Sequence, residues 1–302
     1  MVSRLVPVLE VGGTHLTVAV VDSDKWRVVG GSVSRRELDA ASTTPTLVSA
    51  VTAAAASLRD YDGDVCGVAV PGPFDYARGI GDFRGVGKLD GLRGVDLGGV
   101  VRRTLMGGAA DVRFVNDAEA FALGEWVAGS ACGHSRAIGV TLGTGVGSAF
   151  LADGTAQHRG PGVPPQGRLD LVEIAGRRLE DTISRRAIRD GYRALAGAAA
   201  DRLDVLEIAT LARSGAADAR QAIDGPLQAL GREVAPRALR FDASVVVFGG
   251  SIAMAWDVID GPLQAGMTLA SPGWSDRFVL VPAQRIAEAA LVGAAWHALA
   301  RP

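Results

Sequence analysis

The chain has 302 residues, of which 48% are hydrophobic and 21% charged, so a disordered protein is excluded and one large or two ordinary globular domains are expected. Its 31 basic and 33 acidic residues give a net charge of −2, which offers no electrostatic reason to expect nucleic acid or an acidic membrane as a partner. The two cysteines, Cys66 and Cys132, lie in no C-x-x-C pair, which argues against a disulfide framework or a cysteine-built zinc site.

Two predicted strands near the start of the chain flank a glycine turn. Residues 5–11 and 16–22 are apolar runs of β type joined by Gly12-Gly13-Thr14-His15, and a third β-type run follows them. Adjacent glycines between strands are a common hairpin signal, which is the structural interpretation. The functional interpretation is that the glycine amides and the Thr14 hydroxyl face a phosphate, while the carboxylate of Glu10 faces a metal ion. The residues alone leave both interpretations open.

A helix and a buried strand come next. Residues 45–59 are rich in alanine and predict a helix, and residues 65–70 predict a strand that ends at Pro71-Gly72-Pro73. Residues 79–92 are irregular and punctuated by glycine, and loops of that length are more often functional than not. Lys88 in this loop is expected to be solvated rather than to face a ligand.

The segment at residues 112–126 combines a strand, a polar pair and a helix. Val112 and Phe114 suit a buried strand, and Asn116 and Asp117 are favoured helix N-caps. The carboxylate of Asp117 stands at the carboxyl end of the strand, where open α/β sheets bind ligands and where it can accept a proton from a substrate hydroxyl. A capped helix without chemistry is the alternative, and this segment alone does not decide between the two.

Two further glycine turns lie in the second half of the chain. Gly143-Thr144-Gly145 separates strands predicted at residues 137–142 and 147–151, and Gly249-Gly250-Ser251 follows a β-branched strand at residues 244–248. The first of these turns does not match G-x-G-x-x-G at the start of a helix. A hairpin whose amides face phosphate is therefore favoured over a dinucleotide-binding loop.

Helical patterns occupy most of the sequence between those turns. Residues 177–189 and 203–239 predict helices, the second with breaks near Gly215 and at Gly225-Pro226. A β-meander followed by an α/β segment thus occurs once in each half of the chain. This order predicts two similar α/β lobes with a cleft between them.

Five motifs in a fixed order resemble the ROK family (repressors, open reading frames, kinases) of the actin-like sugar kinase superfamily. They are Glu10-Val-Gly-Gly-Thr14, Val70-Pro-Gly-Pro73, Asn116-Asp117-Ala-Glu-Ala-Phe-Ala-Leu-Gly-Glu125, Leu142-Gly-Thr-Gly-Val-Gly147 and Phe248-Gly-Gly-Ser251. The resemblance spans nearly the whole chain. It implies two actin-like, ribonuclease H-like lobes, each a mixed α/β sheet flanked by helices, with an interlobe active-site cleft. The small N-terminal lobe would comprise residues 1–116 plus 286–302 and the large C-terminal lobe residues 117–285.

The resemblance also implies a function and a set of site residues. The chain would be an ATP-dependent hexose kinase that transfers the γ-phosphate to a sugar hydroxyl, typically the 6-OH of glucose or a glucose-like sugar, with Asp117 as the general base. The remaining roles fall into four groups: sugar contacts at Asn116, Glu180, Arg168, Gly72 and Asp75; phosphate loops at Gly12, Gly13, Thr14 and at Gly143, Thr144, Gly145; ATP adenosine contacts at Gly249 and Gly250; and Mg²⁺ at Glu10.

Three departures from the family pattern qualify these expectations. Glu10 stands where the family usually has aspartate, and the cysteine-rich zinc motif of the family is absent, so no structural zinc is expected. Pro165-Gln166-Gly167-Arg168 stands where the family usually has a sugar-binding Glu-x-Gly-His element, although Glu180 keeps a later sugar-binding glutamate. Because a polar pocket discriminates on its pattern of donors and acceptors, a modified or amino hexose competes with glucose as the acceptor.

Other readings of the family resemblance stay open. The family contains repressors, so a non-catalytic sugar- and ATP-binding regulator is one alternative, although only nine residues precede Glu10 and those repressors carry a DNA-binding element there. A degenerate ATP-binding protein is another, and polyphosphate could replace ATP as the donor. The resemblance and the general frequency of twofold oligomers lead us to expect a homodimer that binds a small-molecule sugar. We also expect a cytoplasmic protein with no nucleic-acid or membrane partner, since the net charge is small and no apolar run reaches transmembrane length.

Overall fold

The structure is a computed structural model that describes residues 4–61, 63–84, 88–105, 111–174, 176–197 and 202–300. Its strands are β1 (Leu5–Val11), β2 (His15–Asp22), β3 (Arg27–Val28), β4 (Ser34–Glu37), β5 (Val65–Val70), β6 (Phe74–Asp75), β7 (Ile80–Gly81), β8 (Asp111–Asn116), β9 (Arg136–Leu142), β10 (Val146–Ala152), β11 (Thr155–Ala156), β12 (Glu173–Ile174), β13 (Arg177–Arg178), β14 (Val245–Gly249) and β15 (Val279–Pro282). Its helices are α1 (Thr44–Ala56), α2 (Leu97–Thr104), α3 (Asp117–Ala128), α4 (Glu180–Ile183), α5 (Arg185–Ala196), α6 (Val205–Arg213), α7 (Ala217–Phe241), α8 (Trp256–Ala270) and α9 (Ala289–Leu299). Within the described ranges, none of these helices has both the length and the apolar character needed to cross a bilayer.

Contacts divide the chain into two compact units. The first consists of Met1–Cys132 with Ala287–Pro302, and the second of Gly133–Ile286. The first unit contains a sheet in the order β3-β2-β1-β5-β8, with β4 also paired to β2. Strands β1 and β2 form an antiparallel hairpin around the first glycine turn, whereas β5 is parallel to β1 and β8 is parallel to β5.

This parallel arrangement brings three motifs to one edge of the first sheet. The carboxyl ends of β1, β5 and β8 lie side by side, and the register places both Glu10 and Val115 next to Ala69. The glycine turn after β1, the Pro71-Gly72-Pro73 segment after β5 and the Asn116-Asp117 pair at the end of β8 therefore meet at the edge where α/β sheets bind ligands.

Both faces of the first sheet are covered, because successive side chains of a strand point to opposite sides. Leu9 and Val11 belong to a core that includes Leu47 of α1 and Leu97 of α2. Val8, also buried, lies outside that core, and its register partner Gly67 packs directly on the backbone of Ala294 in α9. Helix α3 packs along α9, so the last helix of the chain completes the first unit.

The second unit repeats this strand pattern. Its sheet has the order β11-β10-β9-β14-β15, in which β9 and β10 form an antiparallel hairpin around the second glycine turn. Strand β14 is parallel to β9, and β15 is parallel to β14. The register pairs Thr141 with Gly249, which brings the second and third glycine turns to one edge of the sheet. The predicted pair of mixed α/β lobes is confirmed.

Helix α7 corrects one prediction and confirms another. The predicted break near Gly215 is confirmed, because that residue lies between α6 and α7. The predicted break at Gly225-Pro226 is wrong, because α7 continues through Pro226 and Pro236. A proline inside a helix costs about 3 kcal/mol. Buried residues such as Leu227 and Leu230 and the extensive packing of α7 on α8 outweigh that local preference.

The helix predicted for residues 177–189 is divided in the structure. Arg177–Arg178 is strand β13, and the helical part separates at Ser184 into α4 and α5. Ser184 has an extended backbone, and its Oγ accepts a hydrogen bond from the N–H of Ala187 at 3.4 Å, so it caps α5. The division places Glu180 at the start of α4 and Arg185 at the start of α5.

The contact-based boundaries differ from the expected ones at residues 116 and 286. Helix α3 belongs to the first unit because it packs along α9, so the first boundary lies between Cys132 and Gly133. The second lies between Ile286 and Ala287. The assignment of functional lobes to residues 1–116 plus 286–302 and 117–285 stays a prediction.

Candidate active site

The first glycine turn closes the hairpin between β1 and β2. The N–H of Gly12 donates to the carbonyl of His15 at 2.8 Å, and the exposed Thr14 has its Oγ1 3.0 Å from Nδ1 of His15. Nη2 of Arg35, on the neighbouring strand β4, lies 3.1 Å from the same ring nitrogen. Burial and then the charge of Arg35 lower the pKa of His15, which favours the neutral imidazole. The hairpin is confirmed, and phosphate binding by Gly12, Gly13 and Thr14 stays a prediction.

Glu10, near the end of β1, is electrostatically coupled to Asp117. The pKa of the Glu10 carboxyl is raised from its ordinary value of 4.5 to about 7, first by burial and second by the negative charge of Asp117, against an opposing effect of Arg35. Two carboxylates in one partly desolvated place disfavour each other's ionised form. The structure thus brings together the predicted base and the predicted metal ligand.

Asn116 and Asp117 form the junction between β8 and α3. Asn116 is the N-cap of the helix, since its Oδ1 accepts hydrogen bonds from the N–H groups of Ala118 at 3.0 Å and Glu119 at 3.3 Å. Oδ1 of Asp117 also accepts from the N–H of Ala118, at 2.9 Å. The predicted cap is confirmed. It fixes the backbone from which the Asp117 carboxylate projects at the carboxyl end of the sheet.

Tyr76 contacts the predicted site residue Asn116, although no sequence pattern indicated it. Nδ2 of Asn116 donates to the hydroxyl of Tyr76 at 3.1 Å, and that hydroxyl donates to the carbonyl of Val70 at 3.3 Å. The amide of Asn116 is therefore held both by the first turn of α3 and by Tyr76. The contact joins residues forty positions apart, which no local pattern indicates.

Gly72 and Asp75 lie in the segment that carries Tyr76. The hydroxyl of Tyr76 is 3.3 Å from the position that a Cβ of residue 72 would occupy. Oδ1 of Asp75 accepts a hydrogen bond from the N–H of Arg78 at 3.0 Å, which shapes the short hairpin of β6 and β7. The contact gives Asp75 a structural role, and sugar binding by Gly72 and Asp75 stays a prediction.

Glu180 lies against the second glycine turn. Its Oε2 accepts a hydrogen bond from the N–H of Val146 at 3.1 Å, and its carboxylate fills the space that a Cβ of Gly145 would need. The N–H of Arg185 donates to the carbonyl of Gly143 at 2.9 Å. Thr144 lies exposed at the tip of the turn. The structure therefore brings a predicted sugar residue into contact with a predicted phosphate loop, and both roles stay predictions.

The third glycine turn packs on the second. Gly250 has a φ of +85°, and a Cβ there would meet the backbone of Leu142, so only glycine fits. Oγ of Ser251 is 3.6 Å from the position that a Cβ of Gly143 would occupy. Gly249 is buried as the last residue of β14, and the requirement for glycine at position 250 comes from its packing on Leu142. Contact of these two glycines with adenosine stays a prediction.

Arg168 is engaged by a neighbouring carboxylate. Its Nε and Nη2 lie 3.2 Å and 2.5 Å from the two carboxylate oxygens of the buried Asp170. The buried Ser148 of β10 donates its hydroxyl to the carbonyl of Gly167 at 2.6 Å and accepts from the N–H of Leu169 at 2.9 Å, which fixes this segment. Sugar contact by Arg168 stays a prediction, and the sugar would have to share the guanidinium with Asp170.

The residues at the first sheet edge fit a magnesium–nucleotide complex. Across the described ranges, no three histidine, cysteine, aspartate or glutamate side chains gather into a metal cage. Mg²⁺ does not need one, because it is usually held by one or two carboxylates together with water and substrate phosphates. Glu10 offers such a carboxylate, and a dication beside it would offset both the burial of that carboxylate and the negative charge of Asp117, which together raise the Glu10 pKa.

Comparison with known proteins places the chain in a family. A model of the ROK family matches residues 7–301. The Thermotoga maritima protein named glucokinase is 28% identical in an alignment of 207 residues. The alignment covers 60% of this chain and 63% of that protein, so the chain spans less than two thirds of that protein's length. A Shewanella protein named N-acetylgalactosamine kinase AgaK is 28% identical over 279 residues, covering 85% of each chain.

Solved structures share the fold at lower identity. A ROK family glucokinase from Streptomyces griseus, solved with glucose and AMPPNP, has a TM-score of 0.80 and 24% identity over 97% of this chain and 99% of that one. A ROK family transcriptional regulator, a homologue of the E. coli MLC protein, has a TM-score of 0.79 and 20% identity over 98% of this chain and 78% of that one. These similarities establish the fold, which kinases and regulators of the ROK family share.

Proposed function

The chain belongs to the ROK family, and we propose that it is a sugar kinase that transfers the γ-phosphate of ATP to a hydroxyl of a hexose, with Asp117 as the general base. Its relatives named glucokinase and N-acetylgalactosamine kinase support a sugar kinase. The observation that carries the proposal is the coupling of Asp117 with Glu10 beside the Gly12-Gly13-Thr14 turn. A base, an acidic metal ligand and a bare backbone turn are the parts that phosphoryl transfer requires.

In the proposed reaction the sugar oxygen forms a bond to the γ-phosphorus as the bond from that phosphorus to the β–γ bridging oxygen breaks. ADP leaves with the electron pair, and the proton of the sugar hydroxyl passes to the carboxylate of Asp117. Glu10 would hold Mg²⁺ together with water and phosphate oxygens, and the ion when bound neutralises phosphate charge. Asn116, fixed by α3 and Tyr76, would orient a neighbouring sugar hydroxyl.

The acceptor we propose is glucose or a hexose whose 2-position carries an amino or acetamido group. The two relatives named above differ in this feature, since one is named for glucose and the other for N-acetylgalactosamine. The segment at Pro165-Gln166-Gly167-Arg168 would be the part of the pocket that discriminates between them, because its side chains differ from the usual family element.

The test is a kinase assay with ATP and Mg²⁺ in which the release of ADP is measured. The acceptors are glucose, mannose, galactose and their N-acetylated 2-amino derivatives. Asp117→Asn should lower kcat by roughly 10²- to 10⁴-fold, the usual contribution of a general base. Asp111→Asn, an exposed carboxylate at the opposite end of β8, serves as the matched control and should leave kcat unchanged. Full turnover by Asp117→Asn would remove Asp117 as the base.

Two further arms of the assay separate the alternatives. Replacing ATP by polyphosphate tests the donor. Sugar binding measured by calorimetry without any turnover, across all donors and sugars, would favour a sugar-sensing regulator, since a family regulator shares this fold.

A further inference from the structure

Lys88 lies beside the first glycine turn rather than in solvent, where the sequence had led us to expect it. Its Cδ is 3.7 Å from the position that a Cβ of Gly13 would occupy, so its aliphatic stem lies over the backbone of the turn. The side chain is half-buried. The next residue anchors it: Leu89 is 0% exposed, has a φ of +59°, and donates its N–H to the carbonyl of Ala40 at 2.8 Å.

The ammonium group of Lys88 is not paired with another side chain in the part of the chain that the structure describes. It makes neither a hydrogen bond nor an ion pair with the described residues. Lys25, the only other lysine among the 31 basic residues, differs in being paired. Its side chain is exposed, and its Nζ lies 3.4 Å from Oδ2 of Asp22. A half-buried cation loses hydration, and an anion at the glycine turn would restore its stabilisation.

We infer that Lys88 contacts the phosphoryl group during transfer and neutralises its charge together with the backbone amide of Gly13. This inference rests on the proposed function, because that function places the phosphoryl group at this turn. From Cδ the ammonium nitrogen is two bonds of about 1.5 Å farther along the chain, which is enough to reach an anion seated on the Gly13 backbone. A lysine ammonium is a compact point charge with three donors, which suits contact with phosphate oxygens.

The kinetic test uses variants that keep the stem and change the charge. Lys88→Met should lower kcat by roughly 100-fold or more, as removal of one group that stabilises transition-state charge does, with the KM for sugar unchanged. Lys88→Arg should recover part of the lost rate, because it restores a cation at the same stem. Lys25→Met is the matched control and should retain the wild-type kcat, since Lys25 pairs with Asp22 away from the turn.

A second readout does not depend on turnover. Because Lys25 and Lys88 are the only lysines, acetylation of each by an amine-specific reagent can be followed separately by mass spectrometry. Millimolar inorganic phosphate should slow the acetylation of Lys88 several-fold and leave that of Lys25 unchanged. The ATP analogue AMPPNP with Mg²⁺ and the preferred sugar should protect Lys88 more strongly.

The outcomes separate this inference from the proposed function. Wild-type kcat in Lys88→Met overturns the inference and leaves the kinase assignment intact. A higher KM for sugar at unchanged kcat also overturns it, because Lys88 would then contact the sugar. If the wild type phosphorylates no sugar on the panel, the proposed function fails, and selective protection of Lys88 by phosphate then decides whether an anion binds here. Equal rates of Lys88 acetylation with and without phosphate would show that no anion binds at this turn.

Discussion

Glu180 fills the space beside Gly145 in which any larger residue would place its Cβ, and it accepts the N–H of Val146 at 3.1 Å. On the other side of the same turn, the N–H of Arg185 donates to the carbonyl of Gly143 at 2.9 Å. The second glycine turn is therefore fastened to the starts of α4 and α5. Glu180 thus positions the second glycine turn. Because the family resemblance assigns Glu180 to the sugar and the turn to phosphate, this contact would link the two predicted roles.

Substitution of Gly145 should disturb this link without unfolding the protein. In Gly145→Ala the new methyl group has to displace the Glu180 carboxylate, so we expect the KM for ATP to rise and kcat to fall by about tenfold or more, on the scale of a lost transition-state contact. Gly191→Ala on α5 is the matched control, since a Cβ there meets open space and alanine is the better helix former. Equal kinetics for the two variants would show that the turn tolerates a side chain.

The two roles of Glu180 can be separated by comparing Glu180→Gln with Glu180→Ala. Glutamine keeps an oxygen that accepts the N–H of Val146, so it should retain the wild-type KM for ATP, whereas alanine should raise that KM. If Glu180 also reads a sugar hydroxyl, both variants should raise the KM for sugar, because charge-assisted hydrogen bonds are the stronger ones. Steady-state kinetics with each substrate varied in turn measures both effects. An unchanged KM for ATP in Glu180→Ala would contradict the positioning role.

The features that the sequence predicted correctly are those encoded by neighbours along the chain. Strand periodicity and glycine-containing turns predicted both hairpins, and Asn116 predicted the N-terminus of α3. The features that it missed depend on contacts between distant residues. Tyr76 holds Asn116, Glu180 fills the space at Gly145, and the packing of α7 on α8 carries a helix through Pro226. Local preference cannot reveal these, because tertiary packing supplies the energy that decides them.

Asn116 should contribute to stability as well as to the site. Asn116→Ala removes the cap of α3 and the contact with Tyr76, so the free energy of unfolding should fall by about 1 to 2 kcal/mol. Asn116→Asp keeps the capping oxygen, so its free energy of unfolding should fall less than that of Asn116→Ala. The added charge beside Asp117 should still lower activity. Urea unfolding and kcat measured on both variants separate the two effects. Equal loss of stability in both would mean that the cap contributes nothing measurable.

Glu10 should make the stability of the protein fall as the pH rises through the slightly acidic range. Its carboxyl has a pKa of about 7 in the folded chain, raised by burial and by Asp117, against an ordinary value of 4.5. Between these two values the folded state holds a proton that the unfolded state has released. The free energy of unfolding therefore decreases as pH rises from about 4.5 to about 7 and changes no further above it.

Replacing Glu10 by glutamine should remove this dependence. The free energy of unfolding of Glu10→Gln minus that of wild type should be larger at pH 8 than at pH 5. The difference should reach up to about 3 kcal/mol, since each unit of pKa corresponds to about 1.4 kcal/mol. Urea unfolding at both pH values, in the absence of Mg²⁺ and nucleotide, measures the difference. Glu37→Gln, which removes an exposed carboxylate from β4, controls for the loss of surface charge. If the free energy of unfolding changes equally between pH 5 and pH 8 in Glu10→Gln and in wild type, then Glu10 and Asp117 do not share a desolvated environment at the end of β1.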